Sequence, residues 1–230
     1  MADGARKINW FAITVSVAVV VALVIAAVVV ISLNNNGGGD PEAGGTPTAS
    51  NIESETGAIL VGDGANRLDT YIDFMCPICN RFEQEFGPAI DDLVADGEIT
   101  HGIHPIAILD NRSQGTEFST RAANAMYCVA VSDAAASVPF MNAMFARQPA
   151  EGSPGLSNGQ ILEIAASVGV DGIDSCVDDG IYADYVTAMT EQTPVQPGAA
   201  GIGTPTIAVN GEVISNSTIP APADLGSLFE

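Results

Sequence analysis

Leu68-Asp69-Thr70-Tyr71-Ile72-Asp73-Phe74-Met75-Cys76-Pro77-Ile78-Cys79 is the stretch on which the reading of this chain turns. Leu68 to Phe74 is rich in β-formers and partly alternates, which predicts a strand. Cys76-Pro77 then opens a helical pattern in which Phe82, Phe86, Ile90 and Leu93-Val94 recur at helical spacing, with a stop at Gly97. Pro77 suits the first helical position, where its missing N–H is no loss. Cys76 therefore falls at a helix N-terminus, where unpaired backbone N–H groups and the positive dipole end favour a thiolate. Cys79 follows one turn later, within disulfide reach and shielded by the helix. The pair divides into an exposed attacking thiol and a shielded resolving thiol.

Two plainer readings compete. A structural disulfide across so short a loop would stabilise little. A zinc site would add His101 and His104 to the two cysteines, but a helix occupies the gap and histidines three apart on a strand point to opposite faces. The histidines read as strand residues near a sheet edge, and no metal is expected.

Working outward, Ile99 to Ala107 predicts a second strand, completing a strand-helix-strand unit. Before it, Ala58 to Val61 is a short apolar run that ends in the Gly62-Asp63-Gly64 turn. From about Thr116 to Gln192 the pattern is helical: Phe118, Ala122, Ala125 and Val129 mark one face, Phe140 and Phe145 a second segment, and Ile161, Ile164, Ala165 and Val168 a third. Pro205 to Val209 then predicts a strand, Asn210-Gly211 a hairpin turn, Val213-Ile214 its partner, and Asp224 to Phe229 a short closing helix.

The run Asp73-Phe74-Met75-Cys76-Pro77-Ile78-Cys79 after a strand, with Gly203-Thr204-Pro205-Thr206 opening a late strand, resembles the thioredoxin superfamily. C-P-x-C together with a long helical insertion is most similar to the DsbA-type extracytoplasmic thiol:disulfide oxidoreductases, over Ala58 to Glu230. The resemblance implies an α/β, thioredoxin-like domain over 58–230 with its insertion at about 112–197. It makes Cys76 the nucleophile, Cys79 the resolving thiol, and Pro205 a cis-proline facing them. Thr204 would offer backbone hydrogen bonds to an extended substrate, and Asp73, Pro77 and Ile78 complete the active-site loop. Many members carry a buried acid six residues before the first cysteine; here that position is Thr70. Asp73 is expected to cap or orient the loop rather than relay a proton. With Cys76 and Cys79 taken by exchange, Cys128 and Cys176 remain as a structural bridge in the insertion, or else as two buried thiols. Closing that loop would stabilise by roughly 4 kcal/mol in the chain-entropy model.

The surroundings follow from composition. Seven Lys and Arg against 28 Asp and Glu leave a formal charge of −21, which excludes a nucleic-acid binder. Trp10 to Leu33 is apolar except for Thr14, Ser16 and Ser32, and as a helix would be about 36 Å long, enough to cross a bilayer. It lacks a small-x-small cleavage site, so it reads as a retained anchor rather than a signal peptide. Arg6 and Lys7 precede it, and no base follows until Arg67, which keeps residues 1–9 cytoplasmic and exports the rest. Residues 34–57 are polar and glycine-rich and read as a flexible linker. Disulfides persist outside the membrane. The expectation is a single-pass cell-membrane protein, monomeric and without a cofactor, that introduces disulfides into reduced, unfolded exported proteins. The resemblance implies a quinone-coupled membrane reoxidant of the DsbB or vitamin K epoxide reductase kind. A reductase or isomerase is the alternative, and a redox-inert binding module a more distant one.

Overall fold

The computed structural model describes residues 44–230. The expected tail, 1–9, and anchor, 10–33, lie outside them, and among the described residues no helix is long and apolar enough to cross a membrane. Six strands form one sheet in the order β1-β2-β4-β3-β5-β6: β1 (Ile52–Glu53), β2 (Ala58–Val61), β3 (Asn66–Ile72), β4 (Ile99–Pro105), β5 (Thr206–Val209) and β6 (Glu212–Ile214). β3 and β4 run parallel, with Leu68 opposite His101 and Ile72 opposite Pro105. The crossover between them is helix α1 (Pro77–Ala95). β5 pairs antiparallel with the other edge of β3, placing Ile207 opposite Thr70. β3 is thus interior, and the loop that leaves it emerges from the most constrained part of the sheet.

Between β4 and β5 lie α2 (Phe118–Ser132), α3 (Ser137–Ala146), α4 (Asn158–Ser167), α5 (Asp174–Asp178) and α6 (Ala183–Glu191), matching the expected insertion. α2 is buried along most of its length, and Ala122, Ala123, Ala125 and Ala130 let its neighbours approach closely. Its side chains Phe118, Tyr127 and Val129 join Ile72, Phe74, Met75 and Cys79 in one apolar core, so the insertion and the end of β3 are stabilised by the same burial. A smaller core packs Phe82 and Ile90 of α1 against Leu68, Ile99, Ile207 and Leu225. Cys128 and Cys176 form a disulfide joining α2 to α5, with Cα atoms 6.0 Å apart. This is the pairing left over from the exchange pair.

Two expectations need correction. The linker assigned to 34–57 is packed chain in its described part: the N–H groups of Gly44 and Gly45 donate to Ile181 O at 3.0 and 3.1 Å. Ile52 and Glu53 pair with Ile59 and Ala58, making β1 an edge strand. So polar a segment holds through backbone hydrogen bonds, one buried isoleucine and an ion pair rather than an apolar face. The histidines, in turn, are not at a sheet edge, because β4 has neighbours on both sides. His104 Nε2 lies 2.8 Å from Asp69 Oδ1, which also accepts from Arg67 Nε at 2.8 Å. Arg67 reaches on to both Glu53 oxygens at 3.2 Å, tying β1 to β3 across two intervening strands. Burial alone would raise the Asp69 carboxyl, but the hydrogen bonds and charges of His104 and Arg67 hold it below its usual range. Gly102 makes room for this cluster, since a Cβ there would collide with the Asp69 carboxylate and the Arg67 guanidinium.

Candidate active site

The sheet delivers Asp73-Phe74-Met75 out of β3 and α1 begins at once. Cys76 is the N-cap residue, with extended backbone and Pro77 following in the first turn. Its carbonyl accepts from Asn80 N at 3.2 Å, the first bond of the helix. Both cysteines are free thiols, and Cys76 is only 5% exposed, less open than an attacking thiol was expected to be. The exposed members of the motif are Pro77 and Ile78, the latter at 57%. Cys76 is covered because its sulfur turns inward, 3.6 Å from the carbonyl oxygen of Thr204.

The two thiols are strongly unequal. The hydrogen bond from Cys79, against the penalty of burial and helped by the N–H groups of Cys79 and Ile78, brings Cys76 down to about 7. Burial pushes Cys79 well above the ordinary thiol range, and the neighbouring Cys76 adds to this. Near neutral pH about half of Cys76 is therefore thiolate while Cys79 keeps its proton, a division that suits a nucleophile and its resolving partner.

Thr204 touches both. Its Oγ1 lies 2.9 Å from Cys79 Sγ and donates to Tyr71 O at 3.1 Å. The Thr204 hydroxyl lowers the Cys79 thiol, against the burial and the neighbouring Cys76 that raise it. The Thr204-Pro205 peptide bond is cis. The Pro205 carbonyl accepts from Gln196 Nε2 at 3.0 Å and Asn216 Nδ2 at 2.8 Å, which fixes the loop that carries Thr204.

Asp73 is tied into the active-site loop by three hydrogen bonds. Its Oδ1 accepts from Met75 N at 2.8 Å and Ser119 Oγ at 2.7 Å, and its Oδ2 from Leu109 N at 2.9 Å. Burial pushes this carboxyl up to about 6, and the three hydrogen bonds hold it from rising further. At Thr70 the hydroxyl lies 2.8 Å from His101 Nε2, and burial holds His101 down to about 4. A neutral hydroxyl-imidazole pair thus occupies the buried strand position where the resemblance looks for an acid. The zinc alternative fails on contacts: His101 Nε2 is engaged by Thr70, and both ring nitrogens of His104 by Asp69 and the Thr56 carbonyl. Among the described residues no three of His, Cys, Asp and Glu gather as a metal centre.

One participant left no mark in the sequence. Gln148, just past α3, donates from Nε2 to the carbonyls of Phe74 and Cys76, both at 2.9 Å. Asn80 Nδ2 in turn donates to Gln148 Oε1 and Phe145 O, both at 3.0 Å. The insertion therefore grips the active-site loop twice, through Ser119 and through Gln148. A glutamine in a loop carries no periodic or motif signal, and only its position after Phe145 could have drawn attention to it.

Comparison with known proteins agrees with this geometry. A family model described as Thioredoxin matches residues 56–224. The reduced crystal structure of DsbA from Mycobacterium tuberculosis is similar at 32% identity and a TM-score of 0.63, over 74% of this chain and 88% of that one. MdbA, a thiol-disulfide oxidoreductase from Actinomyces oris, is similar at 26% identity and a TM-score of 0.63, over 81% of this chain and 90% of that one. Serine/threonine-protein kinase PknE of Mycobacterium tuberculosis is 31% identical over 162 residues, covering 67% of this chain but 28% of the kinase. The chain spans little more than a quarter of that relative, and the kinase activity in its name stays with it.

Proposed function

We propose, for a chain that belongs to the thioredoxin family as a thiol-disulfide oxidoreductase of the DsbA type, that exchange runs toward oxidation of exported proteins. In the oxidised form a client thiolate attacks Cys76 Sγ and the Cys76–Cys79 bond breaks. Cys79 leaves with the electron pair and takes up a proton beside Thr204. A second client thiolate then attacks the client sulfur of the mixed disulfide and releases Cys76 as thiolate. The client loses two electrons and the pair gains them.

The observation that carries the reading is the unequal pair, because a thiolate stabilised in the reduced form makes the disulfide easier to give away. Its size matters. Bringing Cys76 from 9.0 to about 7 leaves the thiol about half ionised at pH 7, which favours the reduced form there by only about 0.4 kcal/mol, or about 10 mV for two electrons. That is an oxidising bias, but weaker than a thiol near 3.5 would give, and thiols near about 7 also serve reductants. The same number therefore favours a second reading, exchange in the reductive or isomerising direction.

Export by the 10–33 segment, a single-pass membrane location, reduced exported proteins as clients and a quinone-coupled membrane protein as reoxidant complete the proposal. The backbone around Thr204-Pro205 would offer an extended client a pairing edge without demanding particular side chains. The oxidised protein is mixed with a reduced, unfolded disulfide protein, and the same is done with Cys79→Ala. The oxidase reading expects oxidised client from the first and a trapped Cys76 mixed disulfide from the second. A potential near that of thioredoxin, with reduction but no oxidation of the client, reverses the direction.

A further inference from the structure

Arg67, Arg81, Arg112, Arg121 and Arg147 are the only Lys or Arg among the described residues, on a chain of formal charge −21. Four of them are spent. Arg67 is paired with Glu53 and Asp69, Arg112 with Glu151 and Arg147 with Glu163. Arg121 gives its donors to the Thr116 and Leu156 carbonyls and the Asn158 side-chain oxygen. Arg81 is exposed, and among the described residues it enters no ion pair.

Helix stability does not account for this side chain. A cation in the second turn of α1 lies toward the positive end of the helix dipole, where it gains nothing. Glu85 is the one acid three or four residues away. Base before acid is the weaker order for such a pair, and the two form no ion pair. One turn back lie Pro77 and Ile78, the exposed members of the motif. Cys76 is buried, with its sulfur turned toward Thr204, so Pro77, Ile78 and Arg81 make up the face that α1 offers to a client. No arginine is among the causes that lower the Cys76 thiol, and the charge of Arg81 faces solvent instead.

We propose that Arg81 selects clients by charge, holding a carboxylate two or three residues from the client's cysteine. From Cys76 to Arg81 the helix rises about 7.5 Å, and two or three residues of extended chain cover about 7–10 Å. A carboxylate at that spacing meets the guanidinium as the client sulfur meets Cys76, and the planar fork can take both of its oxygens. The contact also offsets the repulsion that an acidic client meets on so acidic a molecule. It deepens the proposed exchange with client thiols and rests on no direction of it, since the same mixed disulfide forms either way. A neutral or basic client forgoes the contact and still exchanges.

The test is stopped-flow exchange with single-cysteine peptides that differ only in carrying Asp, Asn or Lys two residues from the cysteine. Oxidised protein is mixed with reduced peptide, and reduced protein with the peptide's disulfide. A net transfer that runs the other way changes the end point and leaves the Asp/Asn rate ratio intact. At low salt that ratio should be about two- to fivefold higher in wild type than in Arg81→Gln, and lower still in Arg81→Glu. Salt at about 0.5 M should remove most of the difference, and so should moving the Asp about six residues from the cysteine. Arg81→Gln changes an exposed position, so the fold and the alkylation midpoint of Cys76 should stay as they are. Equal ratios in wild type and Arg81→Gln, an Asp effect that ignores its position, equal slowing of all three peptides, or a shifted Cys76 midpoint would each overturn selection by Arg81.

Discussion

The molecule carries two cysteine pairs in opposite circumstances. Cys76 and Cys79 are three residues apart, reduced, and surrounded by Thr204, Asp73 and the helix N–H groups. Cys128 and Cys176 are 48 residues apart, bonded, and set between α2 and α5 in an apolar wall. Proximity in sequence and stability of the bond run in opposite directions. Closing a short loop removes little freedom from the unfolded chain, so the near pair is left free to respond to its polar neighbours. Closing a long loop removes much, and the distant pair is bonded between two helices. The lesson is that reactivity here belongs to the surroundings of the sulfur, and endurance to the length of chain between the partners.

The largest effect that could break this division comes from replacing Cys128 and Cys176 together with Ser. Unfolding in denaturant should show a loss of roughly 4 kcal/mol, with the Cys76/Cys79 potential unmoved. A shift of that potential by tens of millivolts would mean that the pairs are coupled through the shared core.

A smaller effect is expected from Gln148→Ala, which strips two donors from the Phe74 and Cys76 carbonyls. Leaving them unpaired should cost about 1–3 kcal/mol in stability. Stopped-flow exchange with a small disulfide should slow, and Gln148→Glu, which cannot donate when ionised, should not restore it. If Gln148→Ala exchanged at the normal rate, the clamp would be structural only.

The smallest expected shift concerns the Cys76 titration itself. Alkylation of the reduced protein should follow a midpoint near 7, so the reactive fraction falls about tenfold per pH unit below it, while the Cys128–Cys176 bridge shows no titration. The negative charge of Asp73 opposes the thiolate, so Asp73→Asn should move that midpoint down, by less than about one unit. A midpoint unchanged or raised would show that orientation of the loop outweighs charge.

The parts of this site that were legible were local. Cys76-Pro77-Ile78-Cys79 after a β-prone run specifies strand, loop and helix start within about a dozen residues, and each signal agrees with the next. The apolar faces of α2, α3 and α4 could be read because helical periodicity repeats. The illegible parts are contacts between distant segments. Gln148 meets Phe74 and Cys76 across more than seventy residues, and Thr204 Oγ1 meets Cys79 across 125. Such contacts leave no spacing to detect. β1 escaped for a different reason: an edge strand of two residues depends on backbone pairing, which polar residues supply as well as apolar ones.

The bridge between α2 and α5 has one further consequence. A disulfide in a freshly made chain must itself be donated by something already oxidised. On the proposed activity, each finished copy can finish the next, so the protein stands among its own clients and its production is self-seeding.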